Sequence, residues 1–213
     1  MSALNPYRPG LFVTLEGIDG AGKSTQLQAL VDVLQAAGRK VVLTREPGGT
    51  EIGEKIRDLL LHQPMRPATE ALLMFAARQE HVLQVIEPAL LQGKDVVCDR
   101  FTAATLAYQG GGKGIPPCRL EAIADWVHPG LKPDLTVLID VPPEVAAQRL
   151  VQTRQRDRFE EEGVEFFARV RSNYLQQAEA APAQWLIVDG TQSPEVVRKN
   201  IVDHLNKHLL DID

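Results

Sequence analysis

Five short runs rich in Val, Leu and Ile alternate with longer segments of helical periodicity, which predicts an α/β fold: a parallel five-stranded sheet flanked by helices. A second observation places a ligand on that sheet. The first run leads into Gly17-Ile18-Asp19-Gly20-Ala21-Gly22-Lys23-Ser24, the G-x-x-x-x-G-K-S pattern of a phosphate-binding loop between a strand and a helix. The third observation is one of scale. A chain of 213 residues suits a single domain, 1–213, without disulfide or metal staples.

Taken in order, the expected strands are 11–16, 40–44, 95–99, 135–140 and 185–189, each brief and apolar as strands covered on both faces should be. Expected helices cover 24–37, 51–61, 69–92, 117–127, 143 to about 153, 164–180 and 194–210. Gly38 and Gly93 stand where helices end, and Ser193-Pro194-Glu195 reads as an N-cap followed by proline at the first helical position. Lys plus Arg number 23 against 28 Asp plus Glu, a net charge of −5 that argues against a general nucleic-acid or membrane-surface binder while leaving room for a local basic pocket. No apolar run approaches the ~18 residues that cross a bilayer. Residues 1–10 lack the apolar core of a secretory signal, and Cys98 and Cys118 have no metal spacing, so a reduced, cytoplasmic setting is expected.

The loop glycines let backbone N–H groups turn inward around phosphate oxygens, with the positive end of the next helix aimed at the same anion. Lys23 is expected to reach the outer phosphates and Ser24 to ligate Mg²⁺. Asp19 is either a solvated turn carboxylate or a group that faces the phosphates through Mg²⁺ or holds a sugar hydroxyl. Ala21 matters for what it lacks: some phosphoryl-transfer enzymes neutralise the transferring phosphate with an arginine in this loop, and here there is none. Arg149, Arg154, Arg156 and Arg158 cluster ahead of the acidic run at 160–162; they form either a solvated face or an arginine-bearing lid over the triphosphate, at about 150–163.

Other candidates lie where strands end. Arg45-Glu46-Pro47-Gly48-Gly49 follows the second strand, so Arg45 is placed to meet a second phosphate, the alternative being a surface Arg-Glu pair. Met74 and Phe75 precede Arg78 by four and three residues on one helix, a base pocket or simply core. His81 reads as a structural or surface histidine rather than a catalytic one. Asp99-Arg100 closes the third strand, the acid to organise Mg²⁺ or its water and the arginine to fork an acceptor phosphate. Thr105 and Tyr108 are suited to shape a nucleoside pocket, and Gly110, Gly111 and Gly112 read as a mobile loop.

The segments from Phe12 to Thr25, R-E-P-G-G-T-E-I-G from Arg45, D-R-F-T-A-A-T-L-A-Y-Q-G from Asp99, D-R-F-E from Asp157 and V-D-G-T from Val188 together resemble the thymidylate kinase family, in the same order and across nearly the whole chain. The resemblance implies a P-loop NTPase-type, nucleoside monophosphate kinase-like fold with a lid, ATP and dTMP as substrates, Mg²⁺, and a homodimer. It implies that Gly17, Ile18, Asp19, Gly20, Ala21, Gly22, Lys23, Ser24 and Thr25 bind ATP. Arg45 and Arg100 would grip the acceptor monophosphate, Arg78 and Thr105 the thymine edge beside Met74 or Phe75, and Tyr108 would crowd the 2′ position of the sugar. Asp19 and Asp99 would work near the metal, with Glu160 a contributor on the dTMP side. In bacterial-type members the catalytic arginine comes from the lid, here Arg154 or Arg156. Another nucleoside monophosphate kinase or a deoxynucleoside kinase is the nearest rival; a GTP-driven switch is disfavoured, since no D-x-x-G switch or N-K-x-D guanine reader stands in usable context.

Overall fold

The structure is a computed structural model and describes residues 9–150, 158–159 and 162–208. Strands β1 (Phe12–Glu16), β2 (Val41–Arg45), β3 (Asp95–Asp99), β4 (Leu135–Asp140) and β5 (Trp185–Asp189) form one sheet in the order β2-β3-β1-β4-β5, every pair parallel. The expected five-stranded parallel sheet is therefore present. β1 lies at its centre and is buried at every residue. The edge strands depart from the expectation of full burial: Leu43 in β2 and Ile187 in β5 are 46% and 47% exposed. A strand with a neighbour on one side only leaves part of its apolar run in water.

The helices are α1 (Lys23–Ala36), α2 (Glu51–His62), α3 (Pro67–His81), α4 (Glu87–Leu91), α5 (Thr102–Thr105), α6 (Pro117–Val127), α7 (Pro143–Leu150), α8 (Val164–Ala180) and α9 (Pro194–His208). Their ends fall close to expectation; the continuation of α7 toward residue 153 and of α9 toward residue 210 lies outside the described residues. The single helix expected over 69–92 is interrupted. A π-helical turn, Val82–Ile86, separates α3 from α4, and the Glu87 N–H reaches back to the Val82 carbonyl. Pro88 has no N–H for the carbonyl four residues earlier and its ring crowds that group, which a widened turn accommodates.

The stretch read as a mobile glycine loop is also helical. α5 runs into a second π-helical turn, Leu106–Gly112, in which Gly110 and Gly112 are buried. A Cβ on Gly112 would stand 2.4 Å from the Phe166 ring, and one on Gly111 2.6 Å from the Asn173 Cβ, both on α8. These glycines form a seam that lets α8 approach closely. The seam matters for the site, since α8 carries Tyr174, fully buried, toward the carboxyl edge of the sheet. Loops leaving β1 and β3, which are hydrogen-bonded neighbours, open side by side at that edge.

Replacing Gly112 by Ala is expected to force α8 outward and destabilise the fold by about 1–3 kcal/mol, as overpacking does. Urea unfolding of the two proteins measures it; an unchanged midpoint would show that the seam is not tightly closed.

Candidate functional site

The loop after β1 is shaped by three glycines with positive φ: Gly17 (140°), Gly20 (84°) and Gly22 (97°). A Cβ at Gly17 would meet the Ile139 carbonyl oxygen at 2.6 Å and one at Gly20 the Ala146 carbonyl oxygen at 2.4 Å, so neither conformation nor space admits a side chain. Ile18 and Ala21 turn into the core, while Asp19, Gly20, Gly22, Lys23, Ser24 and Thr25 line a cavity of about 590 Å³. Gly22 caps α1 without any side-chain hydrogen bond. The first N–H groups of α1 are thus left for an anion. The Lys23 ammonium lies back along the loop, 3.2 Å from the Gly17 carbonyl and 3.4 Å from that of Ile18. Burial and the nearby Arg100 charge lower its pKa.

Arg100 enters from the end of β3 and is the one non-glycine residue with positive φ, 70°, among the described residues. Its Nη2 donates to Asp19 Oδ1 (2.6 Å) and to the Tyr108 hydroxyl (3.0 Å), and Nη1 donates to the Tyr174 hydroxyl (3.2 Å). The Tyr108 hydroxyl in turn donates to Asp19 Oδ2 at 2.8 Å. Burial would raise the Asp19 carboxyl, but Arg100, Lys23 and the Tyr108 hydroxyl hold it below the usual range. Asp19 is therefore a structural partner of Arg100 as well as a cavity residue, and not a freely solvated turn carboxylate.

Glu46 and Arg45 do not pair with each other. Arg45 reaches Glu54 at 2.9 Å and stays exposed, whereas Glu46 turns inward, 4% exposed, and takes Arg78 Nε at 2.6 Å and His81 Nδ1 at 2.9 Å. His81 Nε2 lies 2.6 Å from Thr44 Oγ1, so this histidine is fully buried and structural. Arg78 Nη2 donates to Thr105 Oγ1 at 3.0 Å, and its Nη1 has no partner among the described residues. Arg78 lines the cavity, and a buried donor without a partner is unusual enough to call for one. Met74 lines that wall; Phe75 does not, being 1% exposed and set with its ring centroid 5.0 Å from the Arg78 guanidinium carbon.

Sequence reasoning passed over several groups. Arg57 lines the cavity near Arg45 and Arg100, donating to the Pro47 carbonyl at 2.9 Å; burial and then the Arg45 charge lower its pKa. Its signal was its place seven residues after Thr50, the N-cap of α2. Glu16 ends β1 fully buried, accepting from the Phe101 N–H and the Tyr174 hydroxyl, both at 2.8 Å. A carboxylate closing an apolar strand was its only signal, and Tyr174 had none. Glu70, also buried, takes Gln109 at 2.8 Å, Lys113 at 3.1 Å and Arg158 at 2.6 Å.

The arginine cluster divides. Arg149 lies on the phosphate loop, donating to the Ala21 carbonyl (3.3 Å) and the Gly190 carbonyl (2.8 Å). Arg158 is tied to Glu70 and to the Leu60 carbonyl, with Phe159 buried beside it. Arg154, Arg156 and Glu160 lie outside the described residues.

A divalent ion finds a suitable donor set here. Asp99 Oδ1 is buried with no hydrogen-bond partner among the described residues, and Asp99 and Ser24 line the same cavity, whereas both oxygens of Asp19 are engaged. One carboxylate and one hydroxyl, with phosphate oxygens and water completing the shell, suit Mg²⁺, which seldom takes an all-protein cage.

Comparison with known proteins extends this pattern over the chain. The sequence model of the family described as "Thymidylate kinase" matches residues 15–201. Thymidylate kinase of Methylobacillus flagellatus is 55% identical over 194 residues, covering 91% of this chain and 96% of that protein. That of Burkholderia lata is 59% identical over 192 residues, covering 88% and 93%. The crystal structure of thymidylate kinase from Ehrlichia chaffeensis superposes with a TM-score of 0.75 at 35% identity, covering 92% of this chain and 98% of that one. With the matched span running from the end of β1 into α9, through every loop that lines the cavity, this chain belongs to the thymidylate kinase family.

Proposed function

We propose that the chain, a single kinase domain, transfers the γ-phosphoryl group of ATP to dTMP, yielding dTDP and ADP. The observation that carries this reading is one cavity lined both by the phosphate loop and by Arg45, Arg57 and Arg100, the last bonded to Asp19 of that loop. Arginine forks suit a terminal monophosphate, and the loop N–H groups with Lys23 suit the outer phosphates of a triphosphate. The acceptor oxygen is already anionic at neutral pH, so positioning and charge neutralisation do the work and a strong general base is unnecessary. Lys23, Arg100 and the first turn of α1 supply fixed positive charge where negative charge gathers, and Arg154 or Arg156 of the lid would add to it.

Ser24 and Asp99 would hold Mg²⁺, with Asp19 nearby; when bound, it neutralises the donor phosphates and draws them into line. The open Nη1 of Arg78 supports reading a pyrimidine carbonyl, with Thr105 holding the guanidinium and Met74 on the wall beside it. The Tyr108 ring and hydroxyl, locked to Asp19 and Arg100, support exclusion of a ribose 2′-hydroxyl. Phe75 would act beneath Arg78, and Glu160 on the dTMP side. A homodimer in the cytoplasm is the proposed setting. It rests on the family resemblance, on free Cys98 and Cys118, and on the finding that no helix among the described residues is long and apolar enough to cross a membrane.

A coupled ADP-release assay over dTMP, dUMP, dCMP and thymidine is expected to show dTMP as the preferred acceptor with ATP, and activity is expected to vanish on chelation by EDTA and return with Mg²⁺. Preference for another acceptor would overturn the substrate assignment. Lys23→Ala and Arg100→Ala should each lower kcat by about 10²-fold or more, the scale of losing one preorganised charge, with thermal unfolding showing a folded protein. Turnover at the wild-type rate in either would remove that residue from the mechanism. Arg57→Ala is expected to raise the KM for dTMP by about tenfold, the equivalent of ~1.4 kcal/mol from a partly solvated phosphate contact, while leaving the KM for ATP within twofold.

A further inference from the structure

Arg100 holds a left-handed backbone conformation that L residues rarely adopt, at the point where its side chain turns into the cavity. Something has to hold it there. The Arg100 N–H is bonded to the Leu15 carbonyl at 3.0 Å, and the next N–H, that of Phe101, to Glu16 Oε1 at 2.8 Å, so two successive residues of β1 grip the two sides of the strained residue. The other oxygen of Glu16 takes the Tyr174 hydroxyl at 2.8 Å, and that hydroxyl accepts from Arg100 Nη1 at 3.2 Å. Glu16 and Tyr174 are both fully buried, and neither lines the cavity.

We propose that Glu16 and Tyr174 are positioning residues for Arg100, one carboxylate fixing its backbone through Phe101 and its guanidinium through the tyrosine hydroxyl, so that the guanidinium is held in place for the acceptor phosphate. Burial pushes the Glu16 carboxyl up to about 7 against the pull of Arg100, the Tyr174 hydroxyl and the Phe101 N–H. The carboxylate thus sits within the field of the charge it is arranged around. Since Gly17 begins the phosphate loop, the residue that seats the acceptor arginine is the immediate neighbour of the donor loop, and the two halves of the cavity share one rigid strand. The inference rests on the reading of Arg100 as the acceptor-phosphate clamp.

Tyr174→Phe removes the hydroxyl and keeps the ring; Glu16→Gln keeps an acceptor for Phe101 and removes the charge. The test measures dTMP binding by calorimetry and the separate KM values for dTMP and ATP, in both variants and wild type, with thermal unfolding as the check of fold. The expected result for Tyr174→Phe is a dTMP affinity lowered about fivefold or more, with the dTMP KM raised alongside, and a KM for ATP within twofold of wild type. A folded Tyr174→Phe protein with wild-type dTMP affinity, or one in which both KM values rise together, overturns the proposal. If Tyr174→Phe does not fold, Glu16→Gln is judged on the same two criteria. Wild-type protein that binds no dTMP overturns the functional reading along with this one; wild-type binding with unaffected variants overturns this one alone.

Discussion

The partly buried charge of Arg100 is the constraint around which the carboxyl edge of the sheet is built. A guanidinium taken out of water costs several kcal/mol unless its donors are met by well-placed acceptors. Here the acceptors arrive from three parts of the chain: Asp19 from the loop after β1, Tyr108 from the π-helical turn after α5, and Tyr174 from α8. None of these elements can shift alone without leaving a polar group unpaired in the interior. A second arginine, this one fully buried, repeats the principle, Arg78 being held by Glu46 and Thr105 while His81, itself bonded to Thr44, holds Glu46. Each arginine is fixed before any ligand arrives, which is the condition under which charge stabilises a reacting group most effectively.

Placement of the phosphate loop beside the arginines follows from strand order. β1 and β3 are adjacent, so the phosphate loop and the Arg100 turn emerge as neighbours, and β2 beside β3 brings Arg45 and the start of α2 to the same edge. The chain is acidic overall, yet the cavity collects Lys23, Arg45, Arg57, Arg78, Arg100 and Arg149. Attraction for a phosphorylated ligand is thus local, and the acidic surplus lies elsewhere on the molecule.

Much of this was legible in the sequence because it is local. Strands buried on two faces announce themselves as apolar runs, and a phosphate loop is a contiguous pattern, so β1, β3, β4 and the loop carrying Lys23 and Ser24 were readable. What escaped depends on contacts between distant residues. Gly110, Gly111 and Gly112 look like a flexible turn until α8 is seated against them, when the same missing Cβ atoms become the reason for the seam. Glu46 enters the sequence reading only as the possible surface partner of Arg45, although neighbouring side chains leaving a strand point to opposite sides, and Glu46 turns inward to meet Arg78. Tyr174 carries no local signal at all. Its role exists only because α8 brings its hydroxyl to Glu16 at the end of β1 and to Arg100 just after β3.

The central position of β1 has a consequence for how the molecule comes into being. Phe12 aligns with Val96 in β3 and Val13 with Leu135 in β4, so the strand that bears the phosphate loop is made well before either of its sheet neighbours. Pairings so distant in sequence carry a large loop-closure cost and form late. On the ribosome, β1 emerges as an apolar segment with both edges open, the kind of segment that invites wrong partners. One oxygen of its last residue, Glu16, meets the Phe101 N–H, and the other waits until Tyr174 has been made. The strand at the centre of the sheet is in this way made before both of its neighbours, and the nascent protein carries it with an open edge until β4 has followed.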